Sequence, residues 1–559
     1  MYIRINKTPN SPRRSVQIVE SIRKGKTVRQ KIVRYVGIAS DEKEEQKLKD
    51  LANEIIAKIK VQREKDSDQL SLLNTSETDV TTGKKKLGRK SKKKIADILP
   101  PSQVTLDDIV EEKRIIEGVH DIAGAMFDEM YQGLFAGKRS YQLLRDVVLL
   151  RLVYPCSKRR TQEKLSKHFD KVHSLEMIYW MMDQVFPKIS QIKQMTFEKT
   201  KTLFPDKVDL ILFDVTTLYF ESVEVDELRN YGYSKDHRFN TTQVVLALAT
   251  NQDGLPVGYE LFEGNKAEVS TLAAAIESWK TFFKIDSVCF VGDRAMFSKH
   301  NMELLESKGY HYIIAAKLKS LSHSLQASIL DEKYYKPTVI NNEFAWVGEF
   351  EHQGQRLITS YKSRRAMKDL NERQRILDKL KKTIGKQSHP KKLITNQGAR
   401  KFVTMNEDAT VILDENKIEE SAQWDGLHGI LTNMPKETPT ALISRYAKLW
   451  VIEDSFRVNK HTLQMRPIFH WAPSRIHAHI AICYMTFSVL RHLQYRVNLT
   501  QKISIDAIID ELMNVEASIY IHKQTKDRYR VPGCYSNNAR KIYKAFNLER
   551  SLDATVYLQ

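Results

Sequence analysis

The sequence has few cysteines, and none of them belongs to a closely spaced pair. Cys156, Cys289, Cys483 and Cys534 are far apart, and no CxxC motif occurs. This spacing argues against a zinc ribbon and against a disulfide framework. Isolated cysteines of this kind are typical of reduced thiols in a reducing compartment.

Long apolar runs, targeting signals and nucleotide-binding loops are also absent. The first residues, MYIRINKTPN, lack the apolar core of a signal peptide. The longest apolar run near the C-terminus, 480–490, is much shorter than the roughly 20 residues that cross a bilayer. No P-loop occurs, so no nucleotide is expected. We therefore predict a cytoplasmic protein with no membrane partner.

The chain carries a large excess of positive charge. Its 559 residues include 89 Lys and Arg against 69 Asp and Glu, a formal net charge of +20. Such an excess favours a polyanionic partner, because basic side chains release counterions from nucleic acid; a solvated basic surface or a ribosomal association is the alternative. Eight of the twelve residues in 83–94 are Lys or Arg, which adds DNA affinity or only solubility.

The pattern of apolar residues divides the chain into segments. Strand-like alternation comes first, helical periodicity follows, and buried strand-length runs begin near 205. The predicted segments are a β-hairpin and helical unit (1–65), a basic linker (66–104), a helical region (105–204), the first part of an α/β domain (205–320), an inserted β-rich domain (321–435), the second part of the α/β domain (436–495) and a C-terminal helical region (496–559).

Two aspartates follow apolar runs within the α/β part. Asp214 ends VDLILFD and Asp293 ends SVCFVGD. The order from 205 is three strands, helix, strand, helix, strand, which is the order of an RNase H-like domain. Acids at the carboxyl ends of neighbouring strands converge on one edge of a sheet. Each aspartate alone is also an ordinary turn former.

A third carboxylate, Glu453, lies in a predicted helix. Tyr446, Glu453 and Lys460 are spaced seven and seven, so they form one stripe on a regular helix. Arg457 lies beside this stripe. The set suits a metal ligand flanked by phosphate-binding groups, and it equally suits a surface salt-bridge ladder. The large apolar side chains of this helix are predicted to pack: Trp450, Ile452 and Phe456.

These segments resemble the DDE transposases of bacterial insertion sequences. The resemblance rests on FDVTTLYFES, VGDRAMFS, DGLHGILTN and IEDSFRVNKHTLQMRPIFHW, in that order, over roughly 105–495. It is closest to the branch whose glutamate helix carries a Tyr-x2-Arg-x3-Glu-x6-Lys signature and which has a β-rich insertion. Tyr446, Glu453 and Lys460 match the signature. Leu449 stands at its Arg position, where Arg445, Lys448 or Arg457 would have to compensate.

The resemblance implies a fold and a mechanism. It implies an α/β RNase H-like catalytic domain with an inserted β-rich domain, preceded by a small β-rich unit and a helical DNA-binding region. Asp214, Asp293 and Glu453 would be a catalytic triad that binds two Mg²⁺ ions, with Mn²⁺ as a substitute. Tyr446 and Lys460 would hold DNA phosphates. A homodimer would cut double-stranded DNA at terminal inverted repeats, form hairpin ends and join them to target DNA.

Two alternatives to a transposase remain open from the sequence. One is an RNase H-like nuclease that cuts DNA without joining it. The other is a catalytically inactive DNA-binding protein. Further basic residues are candidates for DNA contacts, although Lys158 and Arg159 would also suit an exposed helix cap, and Lys235 and Arg238 an exposed hairpin. These candidates are Arg457, Arg294, Lys235, Arg238, Lys158 and Arg159.

Overall fold

The computed structural model describes most of the chain. The described residues are 1–7, 14–24, 27–39, ten positions between 42 and 57, 104–204, 210–232, 240–282, 288–293, 297–384, 401–405 and 411–557. Residues 1–98 and 99–559 form two compact units. The predicted basic linker lies outside the described residues as far as position 103.

The first unit contains an antiparallel sheet of three strands in its described part. They are β1 (Tyr2–Lys7), β2 (Arg14–Lys24) and β3 (Thr27–Ala39), paired in that order. The sequence predicted β2 and β3 from their alternation, and Val16 and Ile18 of β2 are indeed fully buried. It did not predict β1, whose short YIRINK run alternates too briefly to stand out.

The second unit combines a large sheet with many helices. Its described strands are β4 (Ile109–Ile116), β5 (Leu210–Tyr219), β6 (Gln243–Thr250), β7 (Pro256–Glu263), β8 (Cys289–Gly292), β9 (His311–Ala315), β10 (Tyr335–Ile340), β11 (Glu343–His352), β12 (Gln355–Tyr361), β13 (Val403–Met405), β14 (Val411–Leu413), β15 (Leu427–Thr432), β16 (Glu516–His522), β17 (Arg528–Pro532) and β18 (Thr555–Val556). Its described α-helices are α1 (Gly124–Tyr131), α2 (Lys138–Val153), α3 (Lys158–Phe169), α4 (Leu175–Val185), α5 (Ile189–Thr202), α6 (Glu268–Phe282), α7 (Lys299–Ser307), α8 (His323–Leu330), α9 (Ser363–Ile384), α10 (Glu415–Ala422), α11 (Pro439–Tyr446), α12 (Trp450–Arg457), α13 (Pro473–Asn498), α14 (Ile505–Met513) and α15 (Asn537–Ala545).

Five strands of the large sheet form an RNase H-like arrangement. β5, β6 and β7 make an antiparallel meander, and β8 and β9 continue the sheet on the other side of β5 as parallel strands. The turn after β6 is closed by Asn251, whose Oδ1 accepts hydrogen bonds from the backbone N–H of Asp253 and Leu255. Gly254 follows with a φ of +80°, a conformation that favours glycine. The fold class predicted from the sequence is confirmed.

The region 321–435 is more closely joined to the catalytic sheet than the sequence suggested. The sequence predicts an inserted β-rich domain. In the structure β15 of this region pairs with β9, and β12, β11 and β10 continue the same sheet outward from β15. The part with a small core of its own is narrower: α9 packs there with the hairpin β13–β14. A periodicity argument locates strands correctly but gives no information about which sheet they join.

Both ends of the second unit contain more strands than the sequence predicts. The sequence indicates a single short strand there, at DRYRVPG, which is β17 in the structure. The segment 105–204 begins with β4, which pairs with β16 in a four-stranded sheet that also contains β17 and β18. The sequence IVEEKRII lacks the alternation of apolar and polar residues that would predict a strand. Most of its central charged residues are exposed, and only Ile115 and Ile116 are buried. Glu117 then accepts a hydrogen bond from Arg550 Nη2 at 2.8 Å, which ties the two ends of this unit together.

Two hydrophobic cores cover the two faces of the sheet. Along β5, the side chains of Leu212 and Leu218 join one core and those of Ile211 and Phe213 join the other, as the alternation of a strand requires. The first core contains α13, which is apolar around most of its circumference and therefore buried. Among the described helices, none combines the length and the apolarity needed to span a membrane.

Candidate active site

Asp214 and Asp293 lie side by side on neighbouring parallel strands. β5 and β8 pair in the register Leu210–Cys289 to Leu212–Val291. Extending this register by two residues brings Asp293, directly after β8, level with Asp214. Adjacent strands are about 4.8 Å apart, so the two aspartates are neighbours across the sheet. Asp214 is half-buried and Asp293 is exposed.

The helix that carries Glu453 covers the face of the sheet to which both aspartates belong. Leu212 and Val291, each two residues before an aspartate, belong to the first core. Since side chains alternate along a strand, Asp214 and Asp293 point to this same face. Helix α12 packs against β5, and its Ile452 is buried in the same core. The three predicted catalytic residues therefore lie at one surface.

The chain around Glu453 is not the single regular helix that the sequence analysis assumed. A 3₁₀ turn, Ala447–Leu449, separates α11 from α12, and a π-helical turn, Val458–Thr462, follows α12. A 3₁₀ turn advances about 120° per residue instead of about 100°. Tyr446, Glu453 and Lys460 therefore do not belong to one regular helix, and their spacing of seven does not define a straight stripe. Trp450, predicted to pack, is 61% exposed.

The pKa of Tyr446 is nevertheless affected by two of the three carboxylates. Its pKa is raised, first by burial and then by the negative charges of Asp293 and Glu453. Its hydroxyl therefore keeps its proton at neutral pH and can act as a hydrogen-bond donor. The ring of Tyr446 packs against the ring of His428, with centroids 5.1 Å apart.

Arg365 is a cation at this surface that the sequence analysis missed. It lies in the first turn of α9, and its charge counteracts the rise in the pKa of Tyr446. It also contributes, after burial, to lowering the pKa of His428 to about 4. Both effects place the Arg365 guanidinium near the pair of rings. No local pattern could have revealed it, because it is far from Glu453 in the sequence.

Arg457 belongs to another side of α12. Its Nη2 is 2.7 Å from Asp454 Oδ1, and Asp454 Oδ2 is 2.6 Å from Nη2 of the buried Arg491. Asp454 lies about 100° around the helix from Glu453. The structure therefore places Arg457 in an ion-pair network with Asp454, and not beside the exposed Glu453.

The carboxylates have the chemistry of a divalent metal site, although their side chains do not converge on one point. Three carboxylates supply the hard oxygen ligands that Mg²⁺ and Mn²⁺ prefer. In the part of the chain that the structure describes, no three His, Cys, Asp or Glu side chains are spaced to hold an ion. Asp214 Oδ1 instead accepts a hydrogen bond from the Val215 N–H at 2.7 Å. Holding an ion requires side-chain rotation, which the exposed Asp293 and Glu453 permit.

The other predicted DNA-binding residues are distributed differently. Lys460 is half-buried in the π-helical turn and already interacts within the chain. Lys158 and Arg159 begin α3 and line a separate cavity. Three candidates lie outside the described residues: Arg294, Lys235 and Arg238.

Comparison with protein families gives two matches. The model described as the transposase DDE domain matches residues 206–487, a span that contains Asp214, Asp293 and Glu453. The model described as the N-terminal domain of IS1634 family transposases matches residues 3–67. A search of curated proteins gave no significant match.

The solved structures that match include two transposase complexes with DNA. A piggyBac transposase synaptic complex with hairpin DNA is 8% identical, with 71% of this chain and 77% of that chain covered and a TM-score of 0.34. A Mos1 transposase paired-end complex with the left transposon end is 12% identical, with 36% of this chain and 63% of that chain covered and a TM-score of 0.14. Both superpositions are too loose to assign a role to any residue.

Proposed function

The chain belongs to the family of transposases with a DDE domain and is a DNA transposase, and from this premise we propose that Asp214, Asp293 and Glu453 are its catalytic triad. One observation carries the proposal: the register of β5 and β8 makes Asp214 and Asp293 neighbours on the face that the Glu453 helix covers.

The three carboxylates would hold two Mg²⁺ ions, or Mn²⁺ in their place. Such ions, when bound, activate the attacking oxygen and stabilise the charge on the leaving oxygen. The half-buried Asp214 supplies the fixed side of the site, because its strand is paired with β8 on one side and with β6 on the other. Asp293 and Glu453 close the site from the exposed side.

The residues around the triad would orient the DNA strand. Tyr446 keeps its proton, so its hydroxyl donates a hydrogen bond to a phosphate oxygen. Arg365 adds positive charge near Tyr446, and Lys460 would supply a second cation for the phosphates. Arg365 thereby takes the place of the signature arginine, whose position is occupied by Leu449, a residue that packs against the core.

Double-stranded DNA is the proposed partner, as terminal inverted repeats and as target. The protein would act as a homodimer that holds two element ends, in the cytoplasm where bacterial DNA is found. The reaction would consist of strand cleavage followed by joining of the freed 3′-hydroxyl. Incubation with end DNA and a supercoiled target plasmid tests the joining step: joined products are expected, and cleavage without joined products would indicate a nuclease.

Replacing Arg365 with Ala is expected to slow cleavage about tenfold or more, the effect of losing one charge-assisted contact to phosphate. The neighbouring Arg364 provides a matched control, since its side chain is 91% exposed and its nearest carboxylate, Glu343, is 3.9 Å away. Arg364→Ala should cleave at nearly the wild-type rate. Single-turnover cleavage of labelled end DNA measures both variants, and equal rates for the two would contradict the role of Arg365.

A further inference from the structure

A small cavity at the start of α3 contains two buried cations. Its volume is about 130 Å³, and Arg151 and Lys158 are among the residues that line it. Arg151 is 5% exposed and Lys158 is 4% exposed. Buried Lys and Arg side chains are nearly always paired with an acid, but among the residues that the structure describes no Asp or Glu lines this cavity.

The protein itself leaves part of this positive charge uncompensated. Arg151 Nη2 donates to the carbonyl oxygens of Leu463 and Gln464 at 3.0 and 2.7 Å, while its Nε has no partner among the described residues. Among the described residues, no carboxylate influences the charge of Lys158. Burial, and secondly the charge of Arg151, lower the pKa of Lys158 to about 8.

The other groups around the cavity supply no negative charge. The pKa values of His470 and His479 are both lowered, chiefly by burial and further by the charges of Lys158 and Arg151, so both rings are neutral. The first residues of the twelve-residue helix α3 also line the cavity. The first N–H groups of a helix lack partners within it and favour an anion.

The cavity is connected to the strand that carries Asp214. The backbone N–H of Ile468 donates to the carbonyl oxygen of Tyr219, the last residue of β5, and the Arg466 guanidinium lies over the Tyr219 ring. Tyr219 is five residues after Asp214, a distance of about 16 Å along an extended strand.

We propose that this cavity, built by Arg151, Lys158 and the start of α3, binds one backbone phosphate of the DNA that the active site cuts. The inference rests on the proposed function for the identity of the ligand, and on the buried cations alone for its chemistry. An anion would accept a hydrogen bond from Arg151 Nε and offset the repulsion between the two cations. The buried charge of Lys158 would thus lower the stability of the unbound protein and serve to bind the phosphate.

Replacing Lys158 with Met tests this proposal, because the substitution removes the charge and retains the length of the side chain. Lys167→Met is the matched control: it removes the same charge from an exposed position of the same helix. In chloride buffer, Lys158→Met should have a higher Tm than the wild type, and Lys167→Met should not. Inorganic phosphate at matched ionic strength should raise the Tm of the wild type and of Lys167→Met, but not that of Lys158→Met.

DNA binding by the same full-length variants identifies the source of the phosphate. Lys158→Met should bind end DNA about tenfold more weakly near 0.1 M salt, and its plot of log affinity against log salt should be shallower by about 0.9. Lys167→Met should be much closer to the wild type.

Three outcomes would count against the site. No phosphate effect on the wild type would overturn it outright, and this measurement needs no variant to fold. A phosphate effect with unchanged DNA affinity in Lys158→Met would indicate that free phosphate, and not DNA, is the ligand. Equal effects of both substitutions would indicate only general charge. None of these measurements involves cleavage. A failure of this phosphate site can therefore be distinguished from a failure of the proposed catalytic triad.

Discussion

Asp293→Asn is expected to abolish cleavage of element-end DNA and to leave DNA binding intact. The change removes one negative charge and keeps the shape of the side chain. Losing a ligand to a catalytic ion removes several kcal/mol of transition-state stabilisation, so the rate should fall at least about a thousandfold. Because Asp293 is exposed after the end of β8, the folded structure should tolerate the change.

Two measurements on this variant are needed together. Gel-shift binding should show an affinity equal to or higher than that of the wild type, because a negative charge facing DNA is lost. Single-turnover cleavage should show no product. Asp510→Asn, an exposed aspartate of α14, controls for the loss of one charge elsewhere. Cleavage by Asp293→Asn within tenfold of the wild-type rate would exclude this residue from the triad.

Adjacent substitutions in α12 should have opposite consequences. Glu453→Gln should abolish cleavage and change the free energy of unfolding by less than about 0.5 kcal/mol, as is usual for exposed positions. Asp454→Asn should lower the free energy of unfolding by about 2–3 kcal/mol, because it leaves the charge of the buried Arg491 unpaired. Urea denaturation followed by circular dichroism, with a cleavage assay, separates the two effects.

The pH dependence of stability gives Asp454 a further signature. Burial would raise its pKa, but hydrogen bonds from Arg491 and Arg457 outweigh burial, and the pKa is lowered. A carboxylate with a lowered pKa stabilises the fold above its unfolded pKa, about 3.9, and this contribution is lost as the pH falls below it. The wild type should lose this contribution on acidification, whereas Asp454→Asn should not. A stable Asp454→Asn protein that fails to cleave would instead assign Asp454 to the catalytic surface.

The sequence was most informative where local pattern and chemistry coincide. Apolar runs that end in Asp214 and Asp293 identified two strands, because strands buried on both faces are continuously apolar. The prediction that both acids follow a strand end is right for Asp293 only, since β5 continues to Tyr219 and Asp214 lies in the middle of it. The position of Glu453 came from a family signature, since spacing alone left a salt-bridge ladder equally plausible. Helix periodicity does not reveal which acid of a helix pairs with a cation far away in the sequence. The ion pair between Asp454 and Arg491 is an example, because Glu453 and Asp454 are adjacent and only Asp454 forms it.

Long-range pairing accounts for most of what the sequence did not reveal. The joining of β15 to β9 extends the sheet into a region predicted as an inserted domain, and β4 pairs with a strand about 400 residues later in the chain. Arg365 approaches Tyr446 only through this extended sheet. The 3₁₀ turn before Trp450 also interrupts the α-helix, and it contains no Gly or Pro from which the interruption could be predicted.

The measurement that tests the central claim most directly is cleavage of labelled DNA that carries the flanking ends of this protein's own gene. The full-length protein would be incubated with this DNA in Mg²⁺, in Mn²⁺ or in EDTA, and the products resolved on a denaturing gel. We predict cuts at the element boundary with either ion, and none in EDTA. Binding without cuts in both ions, or cuts that persist in EDTA, would contradict a metal-dependent triad of Asp214, Asp293 and Glu453.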